Sequence, residues 1–446
     1  MKSFFCIGGL RFFGLILLGI LFSILILFLQ VGVSYYVSFQ VIALVFIISL
    51  IVISRPSFKN IPLLFSVIFF FILLVYYACI TNPAVISENT PNIAFTSIGV
   101  ILYASLILIL ANLKLKYSHF VLSFFKIVSI TTILLIAALI VVTDLSLFPF
   151  LTREYFLLQN ITLISNYINL DPLSIDLAWR KSSDISLDID LFYGEPSFLA
   201  VVIFTCITSY ILTNRLLSIT NLKHKNYPSN LMQAVISKSS LFLIFVGLFT
   251  LIYIRCFSAM FYALIVLLSL LFSQDFKKAI LKLNLKVIFL FLILAFCLFL
   301  IILNSYNYYF LRITSISDSI SAQQRFGAFL EMNFQDYLIG ITDKSRMPAN
   351  GIQNGIMYVI SISGIAGIFF MLFLLYRIYS VAKQINLSAM ILLTVLAIFS
   401  QNGAILSPNK IVLLSLILLP LSCTEGMAVN SQDYIPLEPQ NNRILN

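Results

Sequence analysis

Apolar residues come in long, nearly uninterrupted blocks along this chain. The blocks repeatedly reach the roughly twenty residues that a helix needs to cross a hydrocarbon layer. They predict about twelve spans, at residues 12–31, 36–54, 61–81, 94–112, 120–143, 196–213, 239–254, 257–273, 287–304, 356–376, 386–402 and 408–423. The pair around Arg255 meets in almost no loop and reads either as two spans or as a re-entrant hairpin. The expected fold is therefore an all-α polytopic membrane protein with one transmembrane domain over residues 1–423 and a polar tail over 424–446.

Composition agrees. With 61% hydrophobic and 10% charged residues, the chain is far more apolar than a soluble domain, in which about 25% of residues are charged. The net charge of +10 does not point to nucleic acid, because the basic residues stand singly or in pairs between the apolar blocks, where they act as topology signals. Placing the N-terminus in the cytoplasm puts the larger share of Lys and Arg inside and brings both termini to the cytoplasmic face. Lys126 then lies within the fifth span, where snorkelling to the inner face would satisfy it. Cys79, Cys206, Cys297 and Cys423 fall within apolar runs, and no paired spacing suggests disulfides or zinc.

Two outer loops are long, 144–195 and 304–355, and loops of that length usually carry function or short helices of their own. The first ends in Tyr193-Gly194-Glu195-Pro196-Ser197, where a carboxylate stands at the boundary of the sixth span. Proline suits a first helical turn, so Glu195 sits just before a helix N-terminus, whose partial positive charge favours the ionised form. A plain capping role and a catalytic role are both open to it. The second loop holds Arg312, Arg325-Phe326-Gly327, Asn333, Arg346 and, at its close, Asn354-Gly355; the following span is punctuated by Gly364 and Gly367.

Arginines on the outer side, Arg180, Arg255, Arg312, Arg325 and Arg346, have no topological task there. The guanidinium fork matches phosphate oxygens, so they suit a phosphate-bearing ligand presented from the bilayer; ordinary headgroups or nearby acids are the alternative. The only histidines, His119 and His224, fall on the cytoplasmic side, and no metal site or cofactor motif is evident.

Gly194-Glu195-Pro196-Ser197-Phe198-Leu199-Ala200 at a span entrance, Arg325-Phe326-Gly327, and Asn354 before a glycine-bearing span together resemble the O-antigen polymerases. That resemblance implies a membrane-embedded glycosyltransferase of GT-C-like architecture in the bacterial inner membrane, with two large periplasmic loops and no metal. It would move a growing glycan from its polyprenyl-diphosphate carrier to the non-reducing end of a new lipid-linked repeat unit, so donor and acceptor are both polyprenyl-diphosphate-linked oligosaccharides. A chain-length regulator is the protein partner it implies. In those terms Glu195 accepts or orients the acceptor proton, and Arg255 and Arg325 act with it on the diphosphate. Arg180, Arg312, Arg346, Tyr193, Asn333 and Asn354 bind substrate or position the loops.

Two rivals remain. A related ligase would move finished polysaccharide onto an acceptor lipid but relies on an outer histidine, which this chain lacks. A flippase would place ionisable residues near the bilayer midplane, whereas apart from Lys126 the predicted spans are nearly free of charge and the polar residues gather in outer loops.

Overall fold

A computed structural model of the chain describes residues 2–27, 39–54, 56–58, 105–115, 118–144, 196–223, 238–254, 257–272, 332–341, 354–385, 387–400 and 408–423. The predicted third and ninth spans, most of both long loops and the 424–446 tail lie outside the described residues.

The described elements are α1 (Lys2–Leu27), α2 (Phe39–Ile53), β1 (Pro56–Phe58), α3 (105–112), β2 (Leu113–Leu115), α4 (Ser118–Asp144), α5 (Pro196–Lys223), α6 (Lys238–Tyr253) and α7 (Phe257–Phe272). They continue with α8 (Phe334–Ile339), α9 (Gly355–Ser363), α10 (Ile365–Ala382), α11 (Ser388–Ser400) and α12 (Pro408–Ser422). Among the described residues the departure from helix is the antiparallel pair β1–β2, which ties the segment after α2 to the segment before α4.

Among the described residues three helical stretches, Ser118–Leu139, Ser197–Ile219 and Ile365–Ala382, are long and apolar enough to cross a membrane. Their surroundings agree with that reading. Phe13, Leu17, Leu21 and Ile24 of α1, Ile42, Val45, Ile48 and Val52 of α2, and Ile365, Phe369, Leu372 and Tyr376 of α10 are exposed at helical spacing. Continuous apolar stripes on the outside of a bundle are what a hydrocarbon solvent permits and water does not.

Helix α5 stands apart. Every residue from Ser197 to Tyr210 is buried, and α4, α6, α7, α11 and α12 all pack against it. It is the axial helix of the described bundle. A helix that is apolar all round belongs in such a position.

Particular contacts fix the directions of its neighbours. Lys126 Nζ, near the start of α4, donates to Asn214 Oδ1, late in α5, at 2.8 Å, so these helices are antiparallel. This sideways bond to the next helix, rather than a reach to the surface alone, satisfies Lys126. Tyr210 donates to Ser240 Oγ at 2.9 Å, and Ile207 lies against Gly247, so α6 runs antiparallel to α5. In α1, Ser23 donates to the Val128 carbonyl at 3.2 Å and also meets Thr131 Oγ1; Gly19 lies beside Ile127. α1 and α4 are therefore parallel. Cys423, just past α12, reaches the Ser118 carbonyl at 3.9 Å, and α12 thus ends where α4 begins. A small cleft lined by Arg377, Ile378, Val381, Leu418, Leu421 and Ala111 places the end of α10 there too. We call this end of the bundle its base.

Several boundaries differ from the expectation, α1 already beginning at Lys2 rather than near residue 12. The sixth span continues as helix through Lys223 rather than stopping near residue 213, because hydropathy reports lipid contact and nothing in Asn214–Lys223 breaks a helix. The tenth span is two helices, α9 and α10, divided at Gly364, whose φ of 54° suits glycine alone.

Small residues set the close approaches. A Cβ added at Gly19 would run into the Ile127 side chain, whereas at Gly14 it would meet nothing within 4 Å. Gly19→Ala is expected to destabilise the protein by about 1–2 kcal/mol through overpacking, and Gly14→Ala to be neutral or slightly stabilising. Thermal unfolding in detergent compares the two; equal melting temperatures would show that α1 and α4 do not pack as described.

Candidate functional site

The end of the bundle opposite the base carries the start of α5, the α8–α9–α10 elbow and, deeper, the start of α12. Of the nine residues singled out from the sequence, Glu195, Arg255, Arg325, Arg180, Arg312, Arg346 and Tyr193 lie outside the described residues. Asn333 and Asn354 are described, and each begins a helix.

Asn333 closes a capping box on α8. Its Oδ1 accepts from the Asp336 N–H at 3.0 Å, and Asp336 Oδ2 accepts from the Asn333 N–H at 2.9 Å. Two donors that the helix start leaves over are satisfied reciprocally. The Asp336 side chain is buried in the exchange, while Asn333 itself stays exposed.

The α8 segment is docked on the elbow rather than hanging from it. Ile341 N–H donates to the Ser361 carbonyl at 2.7 Å, and Met332, Met357 and Ile360 form a small apolar cluster beneath. Gly364 is required twice over. Its backbone is left-handed, and a Cβ there would collide with the backbone of Leu338 and Gly340. Part of the second long loop is thereby fastened to the membrane helix that follows it.

Asn354 is buried and caps α9, its Oδ1 accepting from Ile356 N–H at 2.9 Å and Met357 N–H at 3.4 Å. The carboxamide oxygen is committed to the helix, which leaves only the Nδ2 side for a ligand. Both asparagines thus serve first to position the loop.

α5 brings the residue after Glu195 into this region. Since Ser197 and every position down to Tyr210 are enclosed, the helix that begins at Pro196 leads directly into the middle of the bundle and is not a lipid-facing helix.

Sequence reading missed Lys410. The topology count sets Lys410, at the edge of the 408–423 span, with the outer basic residues, but its side chain is fully buried in the first turn of α12. A 15-residue helix rises only about 22 Å, short of the ~30 Å hydrocarbon layer, so its start lies inside the bundle. Helix length set against bilayer thickness was the signal that could have found it.

No family profile, no curated protein and no solved structure matches the chain.

Asn354→Ala should cost about 1 kcal/mol of stability, and Asn354→Asp should keep the cap. Thermal unfolding with and without lipid-linked glycan separates the roles: loss of ligand response with an unchanged melting temperature would replace the capping role by a substrate contact.

Proposed function

We propose that the chain is a membrane glycan polymerase, transferring a growing oligosaccharide from its polyprenyl-diphosphate carrier to a new lipid-linked repeat unit. One observation carries most weight: the axial helix begins at Pro196, the residue after Glu195, and its side chains are enclosed from Ser197 to Tyr210. A carboxylate in the residue just before such a helix is favoured in its ionised form by the N-terminal dipole, and in that form it can hold an acceptor hydroxyl. Arg255, Arg325, Arg312, Arg180 and Arg346 supply the positive charge for a departing diphosphate. Tyr193, Asn333 and Asn354 hold or orient the loops and the sugar.

The arrangement of about twelve alternating spans is part of the same reading. It is supported by the antiparallel α4–α5 and α5–α6 pairs and the parallel α1–α4 pair. Lys114, Arg215, Lys238, Arg377 and Lys383 all fall toward the base, which supports a cytoplasmic base and an active site on the opposite, outer face. The setting is then a bacterial inner membrane with both termini cytoplasmic.

A flippase for the same lipid-linked unit is the second reading, and Lys410 favours it, since a cation enclosed within the bundle is a feature of transport pathways. The two differ in where substrate builds up when the protein is deleted. A polymerase leaves single lipid-linked units on the outer leaflet, and a flippase leaves them on the inner leaflet.

Glu195→Gln is expected to abolish long polymer while leaving singly capped units, read from the product ladder made by purified protein with a lipid-linked repeat unit. A ladder of normal length in that variant would remove the proton-accepting role.

A further inference from the structure

We propose that α8 dips into the bilayer at the end of the bundle opposite the base, with Phe334 and Leu338 seated among lipid acyl chains, so that the second long loop is anchored in the membrane surface. The anchor uses none of the outer arginines or Glu195 and holds for a transferase or a transporter alike.

The first observation is that α8 is turned inside out for a helix in water. At about 100° per residue, Phe334 and Leu338 stand about 40° apart on one face, and Asp336 lies about 160° from each. Phe334 is 78% exposed and Leu338 41%, whereas Asp336 is only 2% exposed. A helix on a watery surface does the reverse, turning its carboxylate out and its aromatic ring in. Asp336 is satisfied where it is, through the capping box with Asn333. Tyr337, on the inner side, packs against the Met332, Met357 and Ile360 cluster. The two outward apolar side chains meet no such cluster of the bundle, and a hydrocarbon surrounding suits them.

The second observation is continuity with a surface that already faces lipid. The exposed stripe of α10 runs through Ile365, Phe369, Leu372 and Tyr376. Counting round α10 from Ile365, these four stay within about 40° of one another or slightly more, and Ile368 stands about 60° to one side. Ile368 is the residue of α10 that packs against the cluster beneath α8. α8 is therefore docked on the flank of the lipid-facing stripe. The backbone of Leu338 also lies against Gly364, the residue before Ile365, so the apolar ridge of α8 adjoins the end of that stripe.

The third observation is depth. Exposed Lys383 follows α10 at the base, and the exposed rings of Tyr376 and Tyr379 close the stripe just above it, as aromatic residues do at headgroup level. From Lys383 back to Gly364, α10 rises about 28 Å, close to the ~30 Å thickness of the hydrocarbon layer. Gly364, and α8 docked on it, thus reach the opposite edge of that layer. They lie neither at its middle nor well beyond it in water.

The ridge is uncharged. α8 carries no Lys or Arg between Phe334 and Ile339, so what holds it is the apolar upper part of the acyl chains and not headgroup charge. Asn333, which caps α8, is then kept at headgroup level, where the head of any lipid-borne substrate also lies.

The test uses the full chain reconstituted in phosphatidylcholine vesicles. Trp179→Phe removes its single tryptophan, and Phe334→Trp then puts a fluorescent reporter on the ridge. Phosphatidylcholine brominated high on its acyl chains should quench that reporter severalfold more strongly than aqueous iodide supplied on both sides of the vesicles. Leu338→Trp in the same background should behave alike, and it carries the measurement if Phe334→Trp does not fold. Iodide quenching equal to or stronger than bromolipid quenching would place the ridge in water and overturn the anchor. Quenching by neither would show that protein covers the ridge, either another part of this chain or a second copy, and would overturn it equally. Polymer formation by the wild type is a separate measurement, so failure of the anchor and failure of the transferase reading are distinguishable.

Discussion

Within a hydrocarbon layer no water is available to satisfy a backbone N–H or carbonyl, and helix α5 lies where that constraint is tightest, enclosed by other helices from Ser197 to Tyr210. Lipid and bundle interior are equally apolar, so burying Leu or Ile gains little there. Association depends on fit and on polar pairs. The helices around α5 show both. Gly19 and Gly247 bring α1 to α4 and α6 to α5 at contact distance. Lys126–Asn214, Tyr210–Ser240 and Thr208–Thr394 pin the directions with single hydrogen bonds.

That economy makes exceptions informative. In most of the buried hydroxyls a spare proton is returned to the helix's own carbonyls, which keeps a polar atom harmless at small cost. Thr205 and Ser209 of α5 and Thr132 of α4, all fully buried, break the habit. Lys410, buried in the first turn of α12, puts a positive charge at the helix end whose dipole favours anions.

The opposite end from the base is organised by backbone geometry. Gly364 turns the chain between α9 and α10, and the space its missing side chain leaves is taken by the backbone of Leu338 and Gly340. The Asn333–Asp336 box and the Ile341–Ser361 bond hold the loop segment in that notch. A loop fastened to a helix break can present its flanking residues in a fixed direction while the rest of it spans to the next element.

The membrane class, the helical character and the approximate limits of α4, α6, α7, α11 and α12 were legible in the sequence, because long apolar blocks admit only one kind of structure in lipid. So was the punctuation at Gly364, and Asn354 at the head of a helix, since glycine and asparagine act through their own backbone. What the tertiary structure decided was which helix is surrounded. α5 and α10 both read as apolar windows, yet one is enclosed and the other carries a lipid-facing stripe, a difference set by neighbours distant in the chain. The same holds for Lys410, which the sequence leaves at the edge of the 408–423 span; only the packing of a short α12 between α4, α5 and α11 puts it inside, because depth depends on where a helix begins relative to its partners and not on its own composition.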